Sequence, residues 1–105
     1  MEPNKLSISV HDLIDHGLLL APANVRGEHL GKTIEATIMA DGNFLWRGEV
    51  FNSPSVAAGR AITAMTGAIT HKRSYFSVNG WKFWYVQCED GAFRSLAEIR
   101  NSLPG

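Results

Sequence analysis

From Lys32 to Ala40 apolar and polar positions alternate. Ile34, Ala36, Ile38 and Ala40 fall on one side; Thr33, Glu35, Thr37 and Met39 fall on the other. A period of two predicts a half-buried strand. Asp41-Gly42 follows as a hairpin turn, and Asn43 to Arg47 returns as the partner strand. Gly48 permits a bend before Val50-Phe51. The period then lengthens. Ala57, Ala58, Ala61, Ile62 and Met65 form a helical stripe, with Ser53 as N-cap and Pro54 in the first turn, which predicts a helix from Pro54 to about Met65. The alanines let that helix approach the sheet closely.

The ends of the chain carry helix signals too. Ser9 with Asp12 has the spacing of a capping box, Ile8 with Leu13 that of a hydrophobic staple, and Gly17 stops the segment. Leu18-Leu19-Leu20 reads as a short buried segment closed by Ala21-Pro22. Gly67 to Val78 is a mixed loop or extended stretch. Asn79-Gly80 is a second hairpin signal, and Trp81 to Cys88 reads as a strand apolar on both faces. Such a strand is either covered on both sides or turns one aromatic face to a partner. Asp90-Gly91 turns the chain again. Ser95 with Glu98 caps a last helix whose face holds Leu96, Ile99 and Leu103. The expected fold is α+β: a small antiparallel sheet of three to four strands with about three helices. Residues 1–7 form a polar lead-in and residues 8–103 a single domain.

Composition narrows the picture modestly. The chain has 105 residues, 45% of them hydrophobic and 19% charged, which suits one globular domain. No apolar run approaches a membrane span, and the N-terminus lacks the apolar core of a signal peptide. A single cysteine, Cys88, excludes an intrachain disulfide and fits a reducing cytoplasmic setting. Ten basic residues balance ten acidic ones, which argues against a large phosphate-gripping surface but permits a local basic patch.

Signals for catalysis are poor. His11, His16, His29 and His71 do not make a helical zinc pair, and no phosphate loop, dinucleotide fingerprint or nucleophile elbow occurs. Asp12 and Asp15 read as a solvated helix edge, and Cys88 as a small hydrophobe inside a strand. No catalytic site, metal or cofactor is expected. Binding signals are better. His71-Lys72-Arg73, followed by Tyr75-Phe76, joins cations to aromatics that could grip phosphate and stack a base. The alternative is a solvated loop with its aromatics tucked inward. Trp46, Phe51, Trp81 and Trp84 are candidates for an aromatic base pocket; the alternative is that they fill a small core.

The order of these signals resembles a known family. Phe51-Asn52-Ser53-Pro54-Ser55-Val56-Ala57-Ala58 is similar to the helix start "F-x-S-P-S-x-A-A" of the RAMA domain, and Asn79-Gly80-Trp81-Lys82-Phe83-Trp84 to its "N-G-W-x-x-W" segment. The resemblance covers about Ile8 to Arg100. RAMA modules are found attached to restriction enzymes and adenine methylases, and readers of methylated adenine have been proposed among them. The resemblance therefore implies DNA, particularly modified DNA. On this reading Ser53, Ser55, Arg60, His71, Lys72, Arg73, Asn79 and Trp81 contact DNA, with phosphate at the helix start. A lone copy would be a DNA reader, a subunit supplied in trans, or a phage or plasmid product that interferes with a host restriction system. The second reading is a protein-interaction module that docks on or inhibits a restriction or defence enzyme, which suits the neutral charge and the aromatic-rich segment.

Overall fold

Ser9 and Asp12 cap each other. The Asp12 N–H donates to the Ser9 hydroxyl at 3.3 Å and the Ser9 N–H to the Asp12 carboxylate at 2.9 Å. The first helix therefore begins where its pattern places it. The computed structural model of the chain describes residues 8–67, 77–88 and 90–102. The lead-in, the His71-Lys72-Arg73 run, Tyr75-Phe76 and Leu103 lie outside the described residues.

The elements follow in the order α1 (Val10–Asp15), β1 (Ala23–His29), β2 (Lys32–Ile38), β3 (Phe44–Trp46), β4 (Glu49–Phe51), α2 (Pro54–Thr66), α3 (Gly80–Phe83), β5 (Tyr85–Gln87), β6 (Phe93–Ser95) and α4 (Leu96–Asn101). The fold is α+β, with one antiparallel sheet of six strands in the order β4-β3-β2-β1-β5-β6. Among the described residues, six strands and four helices replace the expected three to four and about three. None of the described helices is long and apolar enough to cross a membrane.

The alternation of β2 holds: Ile34, Ala36 and Ile38 are buried, and Val25 opposes Ala36 across the β1–β2 ladder. Ala40 instead lies exposed in the turn. Asp41-Gly42 turns the chain into β3, and the Gly42 N–H donates to Met39 O at 2.8 Å. Gly48 does more than bend its strand. Arg47-Gly48 has φ of 49° and 83°, and Leu30-Gly31 has 49° and 79°. Both pairs have the two positive φ values of a tight hairpin turn whose twist matches the sheet.

Packing follows the helical stripe. Ala57, Ala58, Ala61 and Ile62 are fully buried, and α2 rests on β3 and β4. Gly67 closes α2 in the left-handed region, its N–H donating to Thr63 O. The second capping box also forms, with the Glu98 N–H donating to the Ser95 hydroxyl at 3.2 Å. Of the three consecutive leucines, Leu19 is buried but Leu20 is 69% exposed. Cys88 is half-buried at the end of β5.

The largest departure concerns Asn79 to Cys88. Asn79-Gly80 is not a hairpin and Trp81 does not open a strand. The Asn79 side chain accepts the Trp81 N–H at 3.0 Å and starts the short helix α3; only Tyr85–Gln87 extends beside β1. Phe83 and Trp84 are consequently both buried, which alternation would not allow in a strand with one open face.

One sheet face carries the core. The other presents Arg26, Glu35, Val50, Tyr85 and Phe93 to solvent.

Candidate nucleic-acid interface

The two sequence motifs meet in space. α3 lies against the start of α2, and Gly80 makes that possible. A Cβ on Gly80 would sit 2.1 Å from the Pro54 carbonyl carbon and 2.3 Å from Ser55 N. The Gly80 N–H donates to the Ser55 hydroxyl at 2.9 Å, and the Trp84 indole N–H to Pro54 O at 2.9 Å. The latter bond satisfies a buried donor that would otherwise be costly. Trp84 is fully buried, edge-on to Phe83 with ring centres 4.9 Å apart.

This joint changes the roles of several predicted residues. The Ser53 hydroxyl accepts the Val56 N–H at 3.4 Å, and the Ser55 hydroxyl is engaged by Gly80. α3 packs against Pro54 and Ser55 at the α2 start, where a phosphate was expected, and a hollow remains beside Ser53. The expected aromatic base pocket does not assemble: Trp46 and Trp84 are core residues, and Phe51 is half-buried against the core. Arg60 is exposed on α2, and Asn79 is exposed ahead of α3. Trp81 is half-buried, with the Arg100 guanidinium 4.6 Å from its ring centre.

α3 forms a ridge between two hollows. On the Trp81 side, a hollow of about 240 Å³ includes His11, Asn43, Asn52 and Ser53. Trp81 and Ser53 thus share a concavity, with Trp81 carried on α3. On the Lys82 side, a cleft of about 600 Å³ is walled by Arg26, Glu28, Asn79, Lys82, Tyr85 and Phe93. It opens because β5 stops pairing with β1 at Tyr85↔Arg26, while β1 runs on to His29. The chain before Tyr85 is drawn away into α3 by its anchorage to Ser55 and Pro54. Tyr85 is 40% exposed and Phe93 41%, and the Arg26 guanidinium lies 3.9 Å over the Phe93 ring.

Sequence reasoning found Asn79 but missed Arg26, Glu28, Lys82, Tyr85 and Phe93. β1 turns Ala23, Val25 and Gly27 inward, so only one large apolar side chain marks it. β6 is three residues long.

Elsewhere, His11, Asp12 and Asp15 place potential ligand atoms within 4.8 Å of one another. The Asp12 carboxylate already accepts the Ser9 N–H and hydroxyl. Those bonds, led by the Ser9 N–H, hold its pKa below the ordinary aspartate value.

The chain matches the family model of the Restriction Enzyme Adenine Methylase Associated (RAMA) domain over residues 2–104, and it belongs to that family. No curated protein matches it. The family is associated with restriction–modification systems.

Proposed function

We propose that this RAMA domain binds DNA along the α3 ridge and prefers duplexes carrying a modified base. The observation that carries the reading is the Lys82-side cleft, which joins two cations, Arg26 and Lys82, to two exposed aromatics, Tyr85 and Phe93. Cations hold phosphates, and aromatic faces stack on bases of any sequence. Asn79 on the ridge adds an amide for a base edge or phosphate. Arg60, His71, Lys72 and Arg73 are further proposed contacts. The preference for modified bases is supported by the family's association with adenine methylases. A buried methyl group adds about 0.8 kcal/mol of discrimination.

The test is fluorescence anisotropy with adenine-methylated and unmethylated duplexes at about 50 and 200 mM salt. With about three phosphates engaged, log K should fall against log salt with a slope near −3. Arg26→Ala and Lys82→Ala should each flatten that slope by about one unit. Absence of binding to either duplex at the lower salt would refute the proposal.

The open sheet face, where Val50 is 57% exposed, and the balanced charge favour a second reading, docking on a restriction or methylase subunit. Stable association with such a subunit, with no anisotropy change on DNA, would decide for it.

A further inference from the structure

We infer that the Lys82-side cleft receives a nucleobase turned out of the duplex, and that Leu30 fills the gap the base leaves. This rests on the DNA-binding reading.

Leu30 occupies the first position of the β1–β2 hairpin turn with φ of 49°. Turns of this kind favour Asn, Asp or Gly there, because a Cβ is strained at positive φ. Leu30 is also 83% exposed, more than any other large hydrophobic residue described. Turn geometry opposes a leucine at this site, and the core gains nothing from it. A protruding apolar side chain does suit insertion between base steps, where such wedges unstack the duplex. Lys32, exposed at the base of the same hairpin, is placed for the flanking phosphate.

The wedge follows directly on the strand that walls the cleft. Glu28 is a wall of the cleft and lies two residues before Leu30, about 7 Å at the usual rise per residue of a strand. The cleft volume of about 600 Å³ falls in the range of small-ligand sites. Arg26 covers one face of Phe93, so the stacking surface for an incoming base is Tyr85. The Glu28 carboxylate only accepts hydrogen bonds, so it favours a base bearing an exocyclic amine, as adenine, cytosine and guanine do and thymine does not, and it repels a phosphate from this wall of the cleft. N6-methyladenine keeps one N–H for this contact, leaving its methyl group for the aromatic wall. Arg26 and Lys82 at the rim take the phosphates on either side.

The experiment uses a duplex with a single 2-aminopurine opposite a mismatch, reading anisotropy and 2-aminopurine fluorescence together. Binding should raise the fluorescence several-fold as the base leaves the stack. Leu30→Asn should melt no lower than the wild type, since it suits the turn better, yet lose most of that rise. Tyr85→Ala should lose it too. A duplex that binds with unchanged fluorescence, or a full rise with Leu30→Asn, overturns this inference and leaves DNA binding standing. Unchanged anisotropy overturns both.

Discussion

The Ser55 hydroxyl accepts the Gly80 N–H at 2.9 Å, joining residues 25 apart in the chain. Ser55 belongs to the helix-start motif and Gly80 to the second motif, so the two stretches that carry the family resemblance are halves of one joint. The Trp84 indole closes that joint on the Pro54 carbonyl at 2.9 Å. A serine hydroxyl is needed as acceptor, and a glycine is needed for the approach. The residues most visible as a signature are therefore chiefly architectural. They place α3, and α3 presents Asn79 and Lys82.

Gly80→Ala should be the most damaging single substitution at this joint. The new Cβ would meet backbone atoms of Pro54 and Ser55, which have no rotamer to yield. The cost should reach or exceed the upper end of the ~1–3 kcal/mol usual for overpacking. Ser55→Ala only strands the Gly80 N–H and should cost about 1–3 kcal/mol. Thermal melting by circular dichroism ranks the two. Equal melting temperatures for Gly80→Ala and the wild type would mean that the two motifs do not touch.

Ala61 is fully buried where α2 docks. Ala61→Leu should overpack that seam and cost about 1–3 kcal/mol, or roughly 4–8 °C in melting temperature per kcal/mol for a domain near this size. A leucine variant melting with the wild type would place Ala61 outside the seam.

Local grammar in the sequence was legible where each signal carries its own physics. The capping boxes at Ser9 and Ser95, the Pro54 start of α2, the alanine stripe and the alternation of β2 are all decided within a few residues. The path from Asn79 to Cys88 is not. Asn-Gly has the same local preference ahead of a hairpin as at a helix cap, and here a bond to Ser55, distant in sequence, decides between them. β1 escaped notice because Gly27 faces inward to accept the Phe83 ring, where a Cβ would lie 2.2 Å from a ring carbon. The cleft inherits both gaps, since it lies between an unread strand and a misassigned helix. Of the four aromatics read as a candidate base pocket, Trp46 and Trp84 follow the alternative reading and fill the core.

Acid should loosen α1. The Ser9 N–H bond holds the Asp12 pKa below its ordinary value of 3.8; partial loss of water around the carboxylate works against this, and the Ser9 hydroxyl and the nearby histidines His11 and His16 add to it. A depressed carboxylate pKa means that the unfolded chain binds the proton more readily. The contribution is therefore complete above the unfolded value and is lost as pH falls through the lower, folded one. Asp12 is close to solvent, so the size should be a few tenths to about 1 kcal/mol. Asp12→Ala should lower stability at neutral pH and flatten the loss below about pH 4. Parallel pH–melting curves for variant and wild type would remove Asp12 from the acid response.

Trp81 is the one tryptophan of three that is not buried, and its indole is half-covered. The Arg100 guanidinium from α4 lies 4.6 Å from its ring centre, and its packing ties α3 to the core. Trp81 is thus a strut as well as a surface group. Trp81→Ala should destabilise the domain by about 1–3 kcal/mol, combining lost burial with a cation–π contact of about 0.5–1 kcal/mol. Trp81→Phe keeps a ring under Arg100 and should recover most of that loss. Acrylamide quenching separates the strut from the surface role. The wild type should show one accessible emitter, and Trp81→Phe should show none, because Trp46 and Trp84 lie in the core. If DNA crosses the α3 ridge as proposed, saturating duplex should shield the accessible emitter. Quenching that is unchanged by bound DNA would move the contact off the Trp81 side of the ridge and leave the Lys82 side as its seat.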